Sequence, residues 1–92
     1  MILFDNFKKA IGKVLRKIRE DKKEVDKERY KQSSVADIIN SSSGYLSDIE
    51  RGVQYPSLFQ LKKIIVNGLE CDLDSVLNEI ASEYLNLEKK GE

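Results

Sequence analysis

Two short segments of helical periodicity, joined by about three residues, dominate what this chain can fold into. Val35, Ala36 and Ile39 lie on one side of the first, from Gln32 to Ile39, and Tyr45, Leu46 and Ile49 mark the buried side of the second, which ends at Gly52. A helix of about eight residues is not stable alone in water and has to pack steeply on its neighbour. Asn40 can close the first because Asn tolerates left-handed backbone, and Ser41, Ser42 and Ser43 offer N-cap oxygens to the second. The second helix of such a pair projects outward, and a helix of that size fits the major groove of a duplex.

The rest of the chain reads as helical too. Phe4, Phe7, Ile11, Val14, Leu15 and Ile18 recur at three- and four-residue spacing and predict an amphipathic helix from about Asp5 to Lys22. Lys23 to Lys31 is almost wholly charged and has neither Gly nor Pro, so it reads equally as a loop or as a prolongation of that helix. Ser57-Leu58-Phe59-Gln60 matches a capping box, with Leu58, Leu61, Ile64 and Ile65 behind it, and predicts a helix that stops at Gly68. Asp72 caps a last, longer helix with apolar positions Leu73, Val76, Leu77, Ile80, Tyr84 and Leu87. Ninety-two residues support one core. The expectation is a single all-α domain over residues 1–92 with five helices.

Several function classes are disfavoured. No stretch approaches the roughly 18 apolar residues of a membrane span, and Met1 to Asp5 lacks the positive lead of an export signal, so a cytoplasmic address without membrane contact is expected. The chain has one cysteine, Cys71, and no histidine. Cys71 reads as a small apolar residue between the last two helices, and no metal or other cofactor is expected. Without a histidine base, a Gly-rich loop or a strand-turn-helix elbow, the serines and aspartates make no nucleophilic centre, and no enzyme is expected. Formal charge sums to zero, but Lys8 to Lys31 carries eleven basic against five acidic residues, while Ile64 to Glu92 carries seven acidic against two basic. The molecule should be a dipole with one basic end. A charge run is usually only a solvated helix face, so it gains meaning only beside a motif.

The run from Gln32 to Gly52 supplies that motif. It resembles the Cro and phage-repressor helix-turn-helix family, also called the xenobiotic-response-element family. Tyr45-Leu46-Ser47-Asp48-Ile49-Glu50-Arg51-Gly52 and Pro56-Ser57-Leu58 follow its pattern closely, and the likeness spans roughly Ile11 to Leu77. The resemblance implies a five-helix, lambda-repressor-like fold, here with an extended first helix or loop and a longer C-terminal helix. It also implies double-stranded DNA as the partner. By position, Ser43, Gly44, Ser47 and Asp48 would face bases. Gln32 and Ser42 would touch the backbone, and Arg19 would bond Glu50. Lys8, Lys31 and Arg51 are further phosphate-contact candidates on charge alone.

The sequence departs from the family pattern in places. Lys23 stands where the family has Gly at the end of its first helix, and about six residues, Glu24 to Arg29, are inserted after it. Lys31 replaces the usual Ser or Thr cap, and Asn40 and Ser41 replace Gly and Val. Asp48 stands where Gln or Arg often reads a base; an Asp can accept from cytosine N4 but is repelled by phosphates. Tyr84, Leu85 and Leu87 carry apolar surface beyond the expected core, covered either by the first helix or by a two-fold partner. A homodimer is favoured because a two-fold protein matches a palindromic operator. The expected function is a dimeric transcriptional repressor or autoregulator. The alternatives are a restriction-modification controller protein and an antitoxin that silences a toxin. A protein partner, toxin or RNA polymerase, belongs with these readings.

Overall fold

A computed structural model describes residues 2–90, with side chains from residue 5 onward. The expected contribution of Phe4 to the first helix, like the charge of Glu92, lies outside the described residues. The chain is all-α. Among the described residues there are six α-helices: α1 (Ile2–Lys23), α2 (Lys27–Tyr30), α3 (Gln32–Ile38), α4 (Ser43–Glu50), α5 (Leu58–Lys62) and α6 (Leu73–Lys90), and α5 runs straight into a π-helical turn, Lys63–Gly68.

α1 and α6 form the back of the molecule. Ala10, Ile11, Val14 and Leu15 of α1 are buried, as are Val76 and Ile80 of α6. Lys13 pairs with Glu83 at 2.9 Å and Asn6 donates to Glu88, so the two helices run antiparallel. Phe7 meets Tyr55 and Tyr84 edge-on, with ring centroids 5.6 and 5.8 Å apart. Such contacts add about 0.5–1.5 kcal/mol each beyond the area they bury. Tyr84 and Leu87, expected at a dimer interface, therefore pack on the core of their own chain, while Leu85 points to solvent.

The charged insertion is neither a loop throughout nor a prolongation of α1. Asp26 accepts from the Arg29 backbone N–H at 3.1 Å and starts α2, a single turn. Tyr30 anchors that turn: its ring is buried, its hydroxyl donates to Glu70 at 2.7 Å, and the Arg29 guanidinium lies 4.5 Å from its ring centre. The bond to Glu70 is also the main cause that raises the Tyr30 pKa above its ordinary value.

Between these layers sit α3 and α4. Lys31 gives α3 no side-chain cap. Asn40 adopts the left-handed conformation, φ 58°, which turns the chain toward α4. Ser42 then accepts from the Tyr45 N–H at 3.1 Å and caps α4, an interaction worth about 1 kcal/mol. Gly52, φ 75°, ends the turn after α4. α5 with Leu61 and the π-helical turn with Ile64 and Ile65 close the core. Leu58, expected on the buried side of α5, is 77 % exposed because it occupies the first helical position, a turn before the helix reaches the core. The capping box is half made: Ser57 accepts from the Gln60 N–H, while Gln60 Oε1 is buried without a partner. Asp72 caps α6 by accepting from the Ser75 N–H and hydroxyl, and these bonds hold its carboxyl below the usual range.

Candidate nucleic-acid interface

The outer face of α4 is positioned from behind by three contacts. Leu46 and Ile49 are buried in the core, and Tyr45 is half-buried against it. Gly12 of α1 lies directly under the C-terminal end of α4, where a Cβ would come within 2.6 Å of the Glu50 carbonyl oxygen and closer still to that of Ile49. Only glycine permits this approach. The third contact is ionic. Arg19 donates to Glu50 through Nε at 2.6 Å and Nη2 at 2.9 Å, with side-chain exposures of 6 % and 4 %.

The bonds around this ion pair join four elements, α1 to α4. Arg19 Nη1 also donates to the Tyr30 carbonyl at 3.2 Å, and Gln32 Nε2 donates to Glu50 Oε1 at 3.1 Å. The bonds to Glu50 raise the Arg19 pKa further, against the opposing effect of burial. A buried pair of this kind costs desolvation and is weak evidence for stability in itself, but its geometry is demanding, and it fixes α1, α3 and α4 in one arrangement.

On the outer side, Ser42, Ser43 and Gly44 are exposed at the N-terminal end of α4, and Ser47 and Asp48 follow half-buried one turn later. The sequence-derived candidates thus lie together on one short helix. Their neighbours are less free than expected. Asp48 accepts from Arg51 Nη2, one turn along α4, so a candidate base contact and a candidate phosphate contact neutralise each other. Gln32 is tied to Glu50, and Lys31 is paired with Glu28 at 3.0 Å. Lys8 is half-buried on α1 and lines neither groove beside α4.

Other cations do line those grooves. One runs along α1 past Lys9, Lys13, Arg16 and Lys17 to Arg51, over the apolar side chain of Leu87. The second, more polar, gathers Arg16, Arg19 and Lys23 of α1 with Gln32, Ser47, Glu50 and Arg51. Arg16 and Lys23 were not singled out from the sequence, although the spacing Arg16, Arg19, Lys23 places the three cations on one helical face. Among the described residues no group of three or more His, Cys, Asp or Glu side chains is arranged to hold a metal, and no helix is long and apolar enough to cross a membrane.

No protein-family model matches this chain, and no curated protein matches it. Among solved structures it is similar to the clp gene regulator ClgR from Corynebacterium glutamicum, with a TM-score of 0.75 and 27 % sequence identity over 92 % of this chain and 83 % of that one.

Proposed function

We propose that this chain is a sequence-specific, double-stranded-DNA-binding transcriptional regulator of the Cro/C1 type and not an enzyme. α4 enters the major groove and Ser43, Gly44, Ser47 and Asp48 face the bases. The observation that carries this reading is the construction of α4: a short helix held from behind by the Arg19–Glu50–Gln32 bonds and the Gly12 contact, with its capped N-terminal end left open to solvent. A helix that reads base edges needs that combination of rigid backing and exposed N-terminus. The likeness to ClgR, a gene regulator, supports the same reading.

In this reading two copies bind a palindromic operator and repress or autoregulate. Tyr84 and Leu87 pack on the core of their own chain, and exposed Leu85 of α6, with exposed Leu58 and Phe59 of α5, is among the apolar residues open to a second copy. Asp48, held by Arg51, presents an acceptor, which favours cytosine N4 among the base-edge groups.

Gel shift of the protein with duplexes from its own upstream DNA, at two salt concentrations, tests this. The expected result is selective binding by two chains per site, weakened by salt as counterion release requires, and weakened at least tenfold in the Ser43→Ala/Ser47→Ala variant. Absence of binding at low salt contradicts the reading and directs attention to a protein partner such as a toxin.

A further inference from the structure

The outward stripe of α1 is cationic. Lys9, Lys13, Arg16 and Lys17 follow one another at three- and four-residue spacing, on the side of the helix away from buried Ala10, Ile11, Val14 and Leu15. They line an open groove of about 730 Å³ that begins at Arg51, just past the C-terminal end of α4, and reaches Leu87 of α6. Leu87 is the one apolar residue among its described lining residues, yet most of the lining surface is carbon, so the methylene stems of the lysines and arginines supply the rest of the floor. A stripe of solvated lysines needs neither concavity nor an apolar floor, and this one has both.

The charge of the groove is not used up internally. Its five cations face two carboxylates, Glu20 and Glu50. Arg19 neutralises Glu50 from behind and also bonds Glu20 at 3.3 Å, and Lys23 reaches the same Glu20 at 3.4 Å. Lys9 and Arg16 make no ion pair among the described residues. Lys17 pairs with Asp21 at 3.3 Å, but the two side chains are 74 % and 68 % exposed, and a pair so exposed yields readily to another carboxylate. Lys13 with Glu83 and Arg51 with Asp48 pair at the rim.

A ligand for this groove carries negative charges one helical turn apart and an apolar side to lie on Leu87 and the stems. Lys9, Lys13 and Lys17 span about 12 Å at the rise of an α-helix. Carboxylates at i, i+4 and i+8 of a second helix match them, as charges flanking an apolar seam do between paired helices. A duplex backbone matches the charge but not the floor, since phosphate contacts draw nothing from buried carbon. The groove also leads away from the exposed N-terminal end of α4, with the Lys9 backbone lying against Gly52 beyond that helix's other end. We propose that the groove from Arg51 along α1 to Leu87 docks an acidic amphipathic helix of a partner protein. The docking does not depend on DNA reading by α4.

The probe is a synthetic helical peptide of about 16 residues, four turns long, with Glu at successive four-residue positions and Leu on the adjoining stripe, titrated into the ¹⁵N-labelled full chain without DNA. Saturable shifts of the backbone amides from Lys9 to Lys17 and of Leu87 are expected, with α5 unaffected. Affinity is expected to fall roughly tenfold in Lys9→Gln/Lys17→Gln, whose side chains are exposed, so that circular dichroism should be unchanged. A peptide with Ser in place of its Leu residues should lose a similar factor, roughly tenfold, because the apolar contact is gone. Equal binding of the Leu and Ser peptides would show charge attraction alone and overturn the proposal, as would the absence of saturable shifts. An unrelated duplex that perturbs the same amides and displaces the peptide would assign the stripe to a nucleic-acid backbone and overturn it as well. If the protein binds no DNA in the gel shift, it is the DNA-reading function that fails, and the peptide titration still decides the groove.

Discussion

Arg19→Ala is expected to lower the unfolding free energy by about 3–5 kcal/mol, the range observed when one partner of a buried ion pair is removed. The physical reason is the group left behind. Glu50 is 4 % exposed at its side chain and would keep only the amide of Gln32 as a donor, so a carboxylate would stay out of water without a countercharge. The Tyr30 carbonyl would also lose its donor, loosening the junction between α2 and α3. A domain of this size has a total stability of about 5–15 kcal/mol, so the variant should be close to unfolding. Urea denaturation followed by circular dichroism measures the loss. Replacing both partners, Arg19→Met with Glu50→Leu, should cost far less than Arg19→Ala because no charge remains buried. Equal losses for the single and double variants would show that packing and not the stranded carboxylate sets the cost.

The second large effect concerns a helix position where substitution would ordinarily help. Ala in place of Gly within a helix stabilises by about 1 kcal/mol on propensity alone. At Gly12 the sign is expected to reverse. The new Cβ would meet two backbone carbonyl oxygens of α4, and backbone cannot swing aside as a flexible side chain can. α1 and α4 must separate, at an overpacking cost of about 1–3 kcal/mol. Gly12→Ala should therefore destabilise in thermal unfolding and weaken DNA binding even at temperatures where the variant is fully folded, because α4 is displaced from the backing that positions it. A variant more stable than the parent would mean that the two helices are not in contact at this point.

These two sites differ in how far the sequence reveals them. That Arg19 faces Glu50 is legible only through the helix-turn-helix pattern, since nothing in the spacing of residues so far apart brings them together. Gly12 interrupts an otherwise regular amphipathic helix, which signals a close approach, but only the fold shows that its neighbour is the end of α4. The helical class, the turn at Asn40, a serine cap from within Ser41 to Ser43 and the buried stripe of Leu46 and Ile49 are available from periodicity and local hydrogen-bonding chemistry, while the choice of Ser42 among the three serines comes only with the family resemblance. The insertion was not, because α2 depends on a bond from Tyr30 to Glu70, forty residues away. Glu70 itself sits in the left-handed region, φ 55°, unusual for that residue type and unmarked in the sequence.

Surface electrostatics was the least legible part. Counting charges predicts a basic segment from Lys8 to Lys31 but not which of its cations face α4: Lys31 is engaged by Glu28, as Arg51 is by Asp48, and the α1 cations beside α4 are Arg16, Arg19 and Lys23. Pairing across one helical turn, as between Asp48 and Arg51, could have been read from their spacing. Which face of α1 turns toward α4 could not. The final helix shows the same limit: Tyr84 and Leu87 carry an apolar pattern that fits either an internal or an intermolecular partner, and the internal one is Phe7 and the core of α1.

The most direct test of the proposed function is to map the DNA-binding surface, by titrating the ¹⁵N-labelled protein with the selected upstream duplex and following its backbone amides. The expected result is that the largest perturbations fall on residues 42–48 of α4 and on Gln32, with the exposed outer face of α6 unaffected. Perturbations confined to α5 and α6, with α4 unchanged, would contradict α4 as the DNA-reading helix.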